Sequence, residues 1–155
     1  MKPSDFSNGK PTFVLEEYFS GKTKAWGIFV DRFGTVKRQF TVDIEGSWNG
    51  EQLVLDEKFH FDDGEKSTRV WKITKTSDNT YEGVADDVVG VAEGISSGNA
   101  LNWKYILDLK IGGNSINVSF DDWMFLQSDG VLINRAKMTK LGLEMGIVNI
   151  FFKKL

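Results

Sequence analysis

Four charged residues, Glu57, Arg69, Asp122 and Arg135, fall in the same alternating rows as large apolar residues. Because successive side chains of a strand point to opposite faces, a shared row predicts a shared buried face. An unpaired charge on that face would be costly, so each carboxylate is expected to lie near an arginine. Such a group could orient the polar head of a small amphipathic ligand, since a guanidinium suits a carboxylate or phosphate.

The first pair belongs to a hairpin whose turn contains Asp63-Gly64. A two-residue turn there would move Trp71 to the face opposite Phe59, because a one-residue slip moves every side chain across the sheet. A three-residue loop at 63–65 is therefore expected. It places Phe59 opposite Arg69, and it sets Glu57 opposite Trp71, ~7 Å diagonally from Arg69 at Cα.

The second pair belongs to a hairpin that closes at Asp129-Gly130, a strong signal for a two-residue turn. That turn predicts Asp122 opposite Lys137 and Met124 opposite Arg135. Asp122 would then also lie within diagonal reach of an arginine.

The expected ligand-binding set consists of these charged residues and their apolar neighbours: Glu57, Arg69, Trp71, Trp103, Tyr105, Asp122, Met124 and Arg135. Three functions stay open. The barrel could bind a small hydrophobic or amphipathic, even anionic, molecule; Glu57 could act as an acid or base on a hydrophobic substrate; or internal ion pairs could fix the strand register of a filled interaction module. Burial would raise the pKa of Glu57, whereas a paired arginine would lower it.

The rest of the chain offers few residues that could act in catalysis or bind a metal. The chain has no cysteine, and its one histidine, His60, falls in a polar row with Asp56 and Lys58. Adjacent carboxylates such as Asp86-Asp87 point to opposite faces of a strand unless a bulge intervenes. We expect no metal, no cofactor and no catalytic constellation.

These residues need a curved sheet to bring them together. Period-two alternation runs from Trp26 to Phe152 and indicates eight to ten strands, several of them long, which favours a single antiparallel up-and-down β-barrel. Glycines at 83, 90, 94 and 98 suggest a corner where the sheet bends. The tryptophans at 26, 71, 103 and 123 lie on periodic rows and are expected to be mainly core.

The first part of the chain differs from the rest. Residues 1–12 contain both prolines and predict a flexible arm, and residues 13–155 form the barrel domain. Phe13, Leu15, Tyr18 and Phe19 predict a short helix that ends at Gly21 and plugs one end of the barrel.

The composition of the whole chain limits the possible partners, but it does not decide the cellular compartment. A net charge of −3 over 155 residues, with both signs interspersed, does not favour nucleic-acid binding. No stretch reaches the ~18 apolar residues of a membrane span, so a soluble protein is expected. The location is cytoplasmic if Met1 is the natural start and periplasmic or envelope if a signal was removed. Composition does not predict the oligomeric state.

Several segments carry a family resemblance: YFSGKTKAWGIFVDRFG, RQFTVDIEGSW, LDEKFHFDDGE, RVW, YEGVADDVVGVAEG, GNALNWKY, FDDWMFLQSDGVLINRAKMTKLG and IFFKK. Over roughly residues 13–154 the chain resembles a bacterial family of uncharacterised lipocalin-like proteins that carries a domain-of-unknown-function label. The resemblance implies a calycin-type barrel and no established activity. Many members of that family resemble exported lipoproteins with a lipidated cysteine near the start.

Overall fold

The chain folds as a closed antiparallel barrel of ten strands, which confirms the expected up-and-down architecture and strand number. A computed structural model describes residues 1–155, with the side chain of Ile111 outside the description. The α-helix is α1 (Leu15–Phe19), and 3-10 turns cover Pro3–Phe6 and Ser128–Gly130. The strands are β1 (Gly21–Asp31), β2 (Val36–Trp48), β3 (Gln52–Phe61), β4 (Lys66–Lys75), β5 (Thr80–Val84), β6 (Ala92–Ser97), β7 (Ala100–Ile111), β8 (Asn114–Leu126), β9 (Val131–Lys140) and β10 (Leu143–Lys154).

Each strand pairs with its neighbours in sequence, and β1 closes the barrel against β10. Along much of the barrel, buried residues alternate with more exposed ones, for example Val42 and Ile44 on β2 and Leu132, Asn134, Ala136 and Met138 on β9. The inner face carries one continuous apolar core, in which Ile44, Leu53, Leu101 and Leu132 are almost fully inaccessible. The core of the molecule is therefore the barrel interior.

The predicted helix is present as α1 and packs into one end of the barrel. Leu15 and Phe19 are buried there. Phe19 comes so close to β2 that a Cβ on Gly46 would lie 1.7 Å from its carbonyl oxygen, so only glycine fits at that position. This contact fixes the end of the helix against β2.

The first residues of the chain lie against the outer face of the barrel. The ring of Phe6 packs edge-on against Trp123 and Phe125, with centroid separations of 5.8 and 4.9 Å. Trp123 is therefore buried although it points away from the barrel interior. The flexibility expected of residues 1–12 stays a prediction.

The glycine-rich stretch holds the two shortest strands, β5 and β6. A Cβ on Gly83 or Gly94 would lie 2.8 or 2.5 Å from the indole ring of Trp103. These two glycines therefore make room for a large ring on the inner face. Gly90 and Gly98, in contrast, have positive φ values of 69° and 57° and serve turns.

One expected core row is reversed. Trp26 is 47% exposed and lies on the outer face of β1, while Ala25 on the same strand is fully buried. The inner face here uses small residues because the ring of Phe40, from β2, lies against Gly27. Alternation alone specified the row but not the face.

Among the described helices, none is long and apolar enough to cross a membrane.

Candidate functional site

The barrel interior contains a partly open cavity of about 100 Å³ next to α1. Its wall combines aliphatic and aromatic side chains with a small polar group. The lining residues are Leu15, Phe19, Val42, Ile44, Leu55, Glu57, Phe59, Arg69, Trp71, Ile73, Leu101, Trp103, Tyr105, Asp122, Met124, Asn134, Ile150 and Phe152. Seven of the eight residues expected at the site are in this set, and Arg135 is not.

The first hairpin brings Glu57 and Arg69 together more directly than expected, because the two residues are cross-strand partners. The loop has three residues, as expected, but it begins one residue earlier, at Asp62, and ends at Gly64. Gly64 supplies the positive φ, 89°, that the last residue of such a loop requires. The pairing therefore shifts by two residues, and the inward face of each residue is preserved.

Arg69 reaches past Glu57 to a loop residue that the sequence did not pair with it. Its Nε lies 3.0 Å from Oδ1 of Asp87, and its Nη2 lies 2.8 Å from Oδ2. Its Nη1 is 4.0 Å from Oε1 of Glu57, which is an electrostatic contact beyond hydrogen-bond distance. The bidentate partner of the buried guanidinium is thus Asp87.

The expected register of the second hairpin is wrong by one residue. Asp122 pairs with Ala136, and Met124 pairs with Asn134, because the loop has three residues rather than two and Gln127 N–H donates to the carbonyl of Val131. A one-residue shift turns a strand over. Lys137 and Arg135 therefore lie exposed on the outer face.

Asn134 takes the inward position that Arg135 was expected to hold. It is almost fully buried and faces Asp122 from the next strand, with its Nδ2 3.4 Å from Oδ2. The hydroxyl of Tyr105 lies 3.4 Å from the same Oδ2. Asp122 thus accepts two long hydrogen bonds from neutral donors, and no arginine donates to it.

Burial changes the acid–base behaviour of this group. Desolvation raises the pKa of Glu57 to about 7, against the opposing effect of Arg69. Desolvation likewise raises the pKa of Asp122 to about 7, opposed by its hydrogen bonds from Asn134 and Tyr105. The pKa of Tyr105 is raised well above its usual value by burial and by Asp122. The carboxyl groups of Glu57 and Asp122 therefore each gain or lose a proton near neutral pH.

Three buried oxygen atoms around the cavity have no hydrogen-bond donor among the described residues. They are Oε1 of Glu57, Oδ1 of Asp122 and Oδ1 of Asn134. A buried acceptor without a donor costs about 1–3 kcal/mol, so three in one cavity are a noteworthy excess.

The β-ladder of the barrel wall is interrupted beside Arg69. β4 pairs with β5 only over Lys72–Lys75, and β6 pairs with β7 only up to Lys104. Beyond these ladders the wall is completed by residues 85–91, which reach β7 through a single bridge, Val88 to Leu107. Asp87 belongs to this segment and is 39% exposed, so its ion pair with Arg69 connects the cavity wall to solvent.

Asp87 and Asn134 are the two polar residues of the site that the sequence did not identify. The glycines around Asp87 indicated an irregular segment, but they could not indicate its partner, which lies eighteen residues away. Asn134 is adjacent to Arg135, the residue predicted for this position, and only the one-residue error in the register kept it from being identified.

The other candidate residues lie elsewhere. His60 is exposed on the outer face near Asp43, as its polar row indicated. Among the residues whose side chains are described, no three of His, Asp and Glu are grouped so that they could hold a metal ion.

A family model described as "Protein of unknown function (DUF3833)" matches residues 1–154. No curated protein matches the chain.

Proposed function

Since the chain belongs to the DUF3833 family of proteins of unknown function, which offers no activity to transfer, we propose from its cavity that the protein binds a small amphipathic molecule inside the barrel. This is the first of the three functions that the sequence left open. The observation that carries the proposal is an internal cavity with apolar walls, together with three buried acceptor oxygens on residues that line it.

The composition of the wall supports an apolar body for the ligand. Trp71 packs edge-on against Trp103 and Tyr105 at 5.4 and 5.3 Å, and Tyr105 stacks on Phe120 at 5.1 Å. Interlocked rings of this kind form a rigid surface with defined contacts. The polar cluster lies on the same inner face, so a ligand that fills the cavity would meet both.

The volume restricts the size of the ligand. A dry cavity of about 150 Å³ accommodates benzene, so about 100 Å³ accommodates roughly six non-hydrogen atoms or fewer. The best very small ligands gain about 1.5 kcal/mol per atom, which limits the binding free energy to about 9 kcal/mol. Micromolar to millimolar affinity is expected, and a larger molecule would need side chains to move.

The charges around the cavity do not favour an anionic head. Arg69 already binds Asp87 and lies near Glu57, while Arg135 is on the outer face. An anion would therefore meet two carboxyl groups and no unengaged cation among the described lining residues.

Native mass spectrometry of the protein purified from cells would detect a retained ligand, and extraction would identify it. In parallel, the indole N–H signals of the purified protein can be followed by NMR as small alcohols are added. Trp71 and Trp103 line the cavity, and Trp26 on the outer face is an internal control. Binding in the barrel should move the first two signals and leave the third unchanged.

A matched pair of variants tests whether the ligand binds inside the barrel. Met124→Trp narrows the cavity, and Ile95→Trp adds the same ring on the exposed outer face. Ligand binding should weaken at least tenfold in Met124→Trp and stay unchanged in Ile95→Trp. Equal binding by both variants would overturn the proposal and favour a filled barrel that acts through its surface.

A second candidate is catalysis by Glu57. Its carboxyl group has a pKa of about 7 and an apolar surrounding, which suits a general acid or base. Glu57→Gln should then abolish turnover of a hydrophobic substrate while ligand binding is kept. If a panel of small esters, epoxides and ketones shows no conversion above the Glu57→Gln background, this candidate is rejected.

A further inference from the structure

We propose that the polar end of the bound molecule is a hydrogen-bond donor, a hydroxyl or a primary amine, received by Glu57, Asp122 and Asn134. This inference rests on the proposed binding function and assigns the head-group chemistry of that same cavity. It replaces the anionic head that an arginine-lined cavity would have indicated.

The three acceptors come from different parts of the barrel wall, and their residues all line the same cavity. Glu57 lies on β3, Asp122 on β8 and Asn134 on β9, and each lines the cavity. One oxygen atom of each is buried and receives no hydrogen bond from any described residue. A donor placed in the cavity would satisfy atoms that are otherwise costly to bury.

Among the nearby donors, the indole N–H of Trp71 acts on the carboxyl group of Glu57 without bonding its Oε1, and three others are directed elsewhere. The side-chain N–H of Asn134 and the hydroxyl of Tyr105 both point to Oδ2 of Asp122, which leaves its Oδ1 free. The guanidinium of Arg69 donates to Asp87 and stays 4.0 Å from Oε1 of Glu57. When both carboxyl groups are ionised, the cavity therefore has more acceptors than donors, and a ligand head with an O–H or N–H bond restores the balance.

The electrostatic surroundings agree with a donor and disfavour an anion. The charged groups that act on Glu57 are Arg69, Asp87 and Asp56, and those that act on Asp122 are Asp121 and Arg69. Carboxyl groups outnumber the one guanidinium in this set. A neutral hydroxyl meets no repulsion, and an ammonium group gains attraction when either buried carboxyl group is ionised.

Four small molecules of similar chain length test whether the cavity prefers a neutral donor, a cationic donor, an uncharged acceptor or an anion. 1-Pentanol and butyl methyl ether are isomers with six non-hydrogen atoms, and only the alcohol has a donor. 1-Pentylamine supplies a cationic donor, and pentanoate supplies an anionic acceptor. Each is titrated into the full-length protein and followed by the indole N–H signals of Trp71 and Trp103, with Trp26 as the internal control.

The alcohol should bind at least about tenfold more tightly than the ether, the size of effect that one hydrogen bond to a buried acceptor gives. The amine should also exceed the ether, and pentanoate should bind most weakly. If the ether equals the alcohol, or pentanoate binds best, the donor inference is overturned while the binding function stands. If none of the four binds, the proposed function is overturned and the inference with it.

Variants locate the head group. Glu57→Met and Asp122→Leu each remove an acceptor at similar volume and leave Arg69 paired with Asp87. At least one of them should lower the alcohol-to-ether affinity ratio threefold or more without weakening ether binding. Glu82→Met, on the exposed face of β5, is the control and should leave the ratio unchanged. An unchanged ratio in both cavity variants would contradict the assigned acceptors.

Discussion

Arg69 and Asp87 join the cavity wall to the segment that completes the barrel, through three hydrogen bonds of 3.0, 3.1 and 2.8 Å. Asp87 lies in the segment 85–91, beside the part of β4 that has a strand neighbour, β3, on one side only. A planar guanidinium with a bidentate carboxylate fixes both position and orientation. This ion pair therefore holds the one part of the wall that a continuous β-ladder does not.

Asp87→Asn should loosen that segment. Asp87 is partly exposed, so the expected loss of stability is about 1–2 kcal/mol, less than for a fully buried pair. Hydrogen exchange of the amides in 85–91 should increase, measured by mass spectrometry. Asp86→Asn, an exposed neighbour, is the control. Equal protection in both variants would show that the ion pair does not hold the segment.

The same change should lower the pKa of Glu57. The Asp87 carboxylate raises that pKa, and without it Arg69 is left to interact with Glu57 alone. Titration of the Glu57 side-chain carboxyl carbon by NMR measures the change directly. A pKa that stays near 7 in Asp87→Asn would mean that Asp87 does not contribute to the raised value.

Stability should fall as the pH rises through the range where Glu57 ionises. Its pKa is raised from the ordinary 4.5 to about 7 in the folded chain, so the folded state binds more protons between these values. The loss between pH 4.5 and 7 is about 3 kcal/mol for a change of this size. Asp122, whose pKa is raised in the same direction, adds to it.

Urea unfolding at pH 5 and pH 8 measures this dependence. Glu57→Gln should reduce the difference between the two pH values, because the amide does not titrate. Glu82→Gln, at an exposed position on β5, should retain the full difference. If wild type is more stable at pH 8 than at pH 5, the buried carboxyl groups are not the dominant titrating groups.

Gly94→Ala should destabilise the barrel by about 1–3 kcal/mol, since its new Cβ would lie 2.5 Å from the ring of Trp103 and a packed ring has little room to move. Trp103→Phe removes the part of the ring in contact. Combined with Gly94→Ala, it should therefore cost less than the sum of the two single changes. Thermal unfolding of all four proteins tests this, and strict additivity would contradict the close contact.

Lys154 should anchor α1 at its C-terminal end. Its ammonium group donates to the carbonyl oxygens of Tyr18 and Ser20 at 2.6 Å and of Glu17 at 3.2 Å. A cation at a helix C-terminus also interacts favourably with the helix dipole. Lys154→Met should reduce stability by about 1–2 kcal/mol and increase hydrogen exchange within Leu15–Phe19.

Lys153→Met is the matched control for this change, because Lys153 is the adjacent exposed residue. If the two variants have the same stability and the same exchange in α1, the contacts of Lys154 do not hold the helix in the barrel end.

The sequence by itself determined the barrel, its strand number within the expected range, and the residues that share each row. Alternation follows directly from the geometry of a strand, so it needs no tertiary information. It placed Glu57 and Arg69 on the inner face correctly, because a pairing shift of two residues does not turn a strand over. It also identified the helix that fills the barrel end.

Only the tertiary structure decided which polar atoms meet in the cavity. One extra loop residue after β8 turned Arg135 outward and brought Asn134 to Asp122, and turn length is a local choice that alternation does not specify. The pairing of Arg69 with Asp87 joins a strand to an irregular segment. Contacts of that kind follow no period, so they arise only when the closed barrel sets where the segment lies.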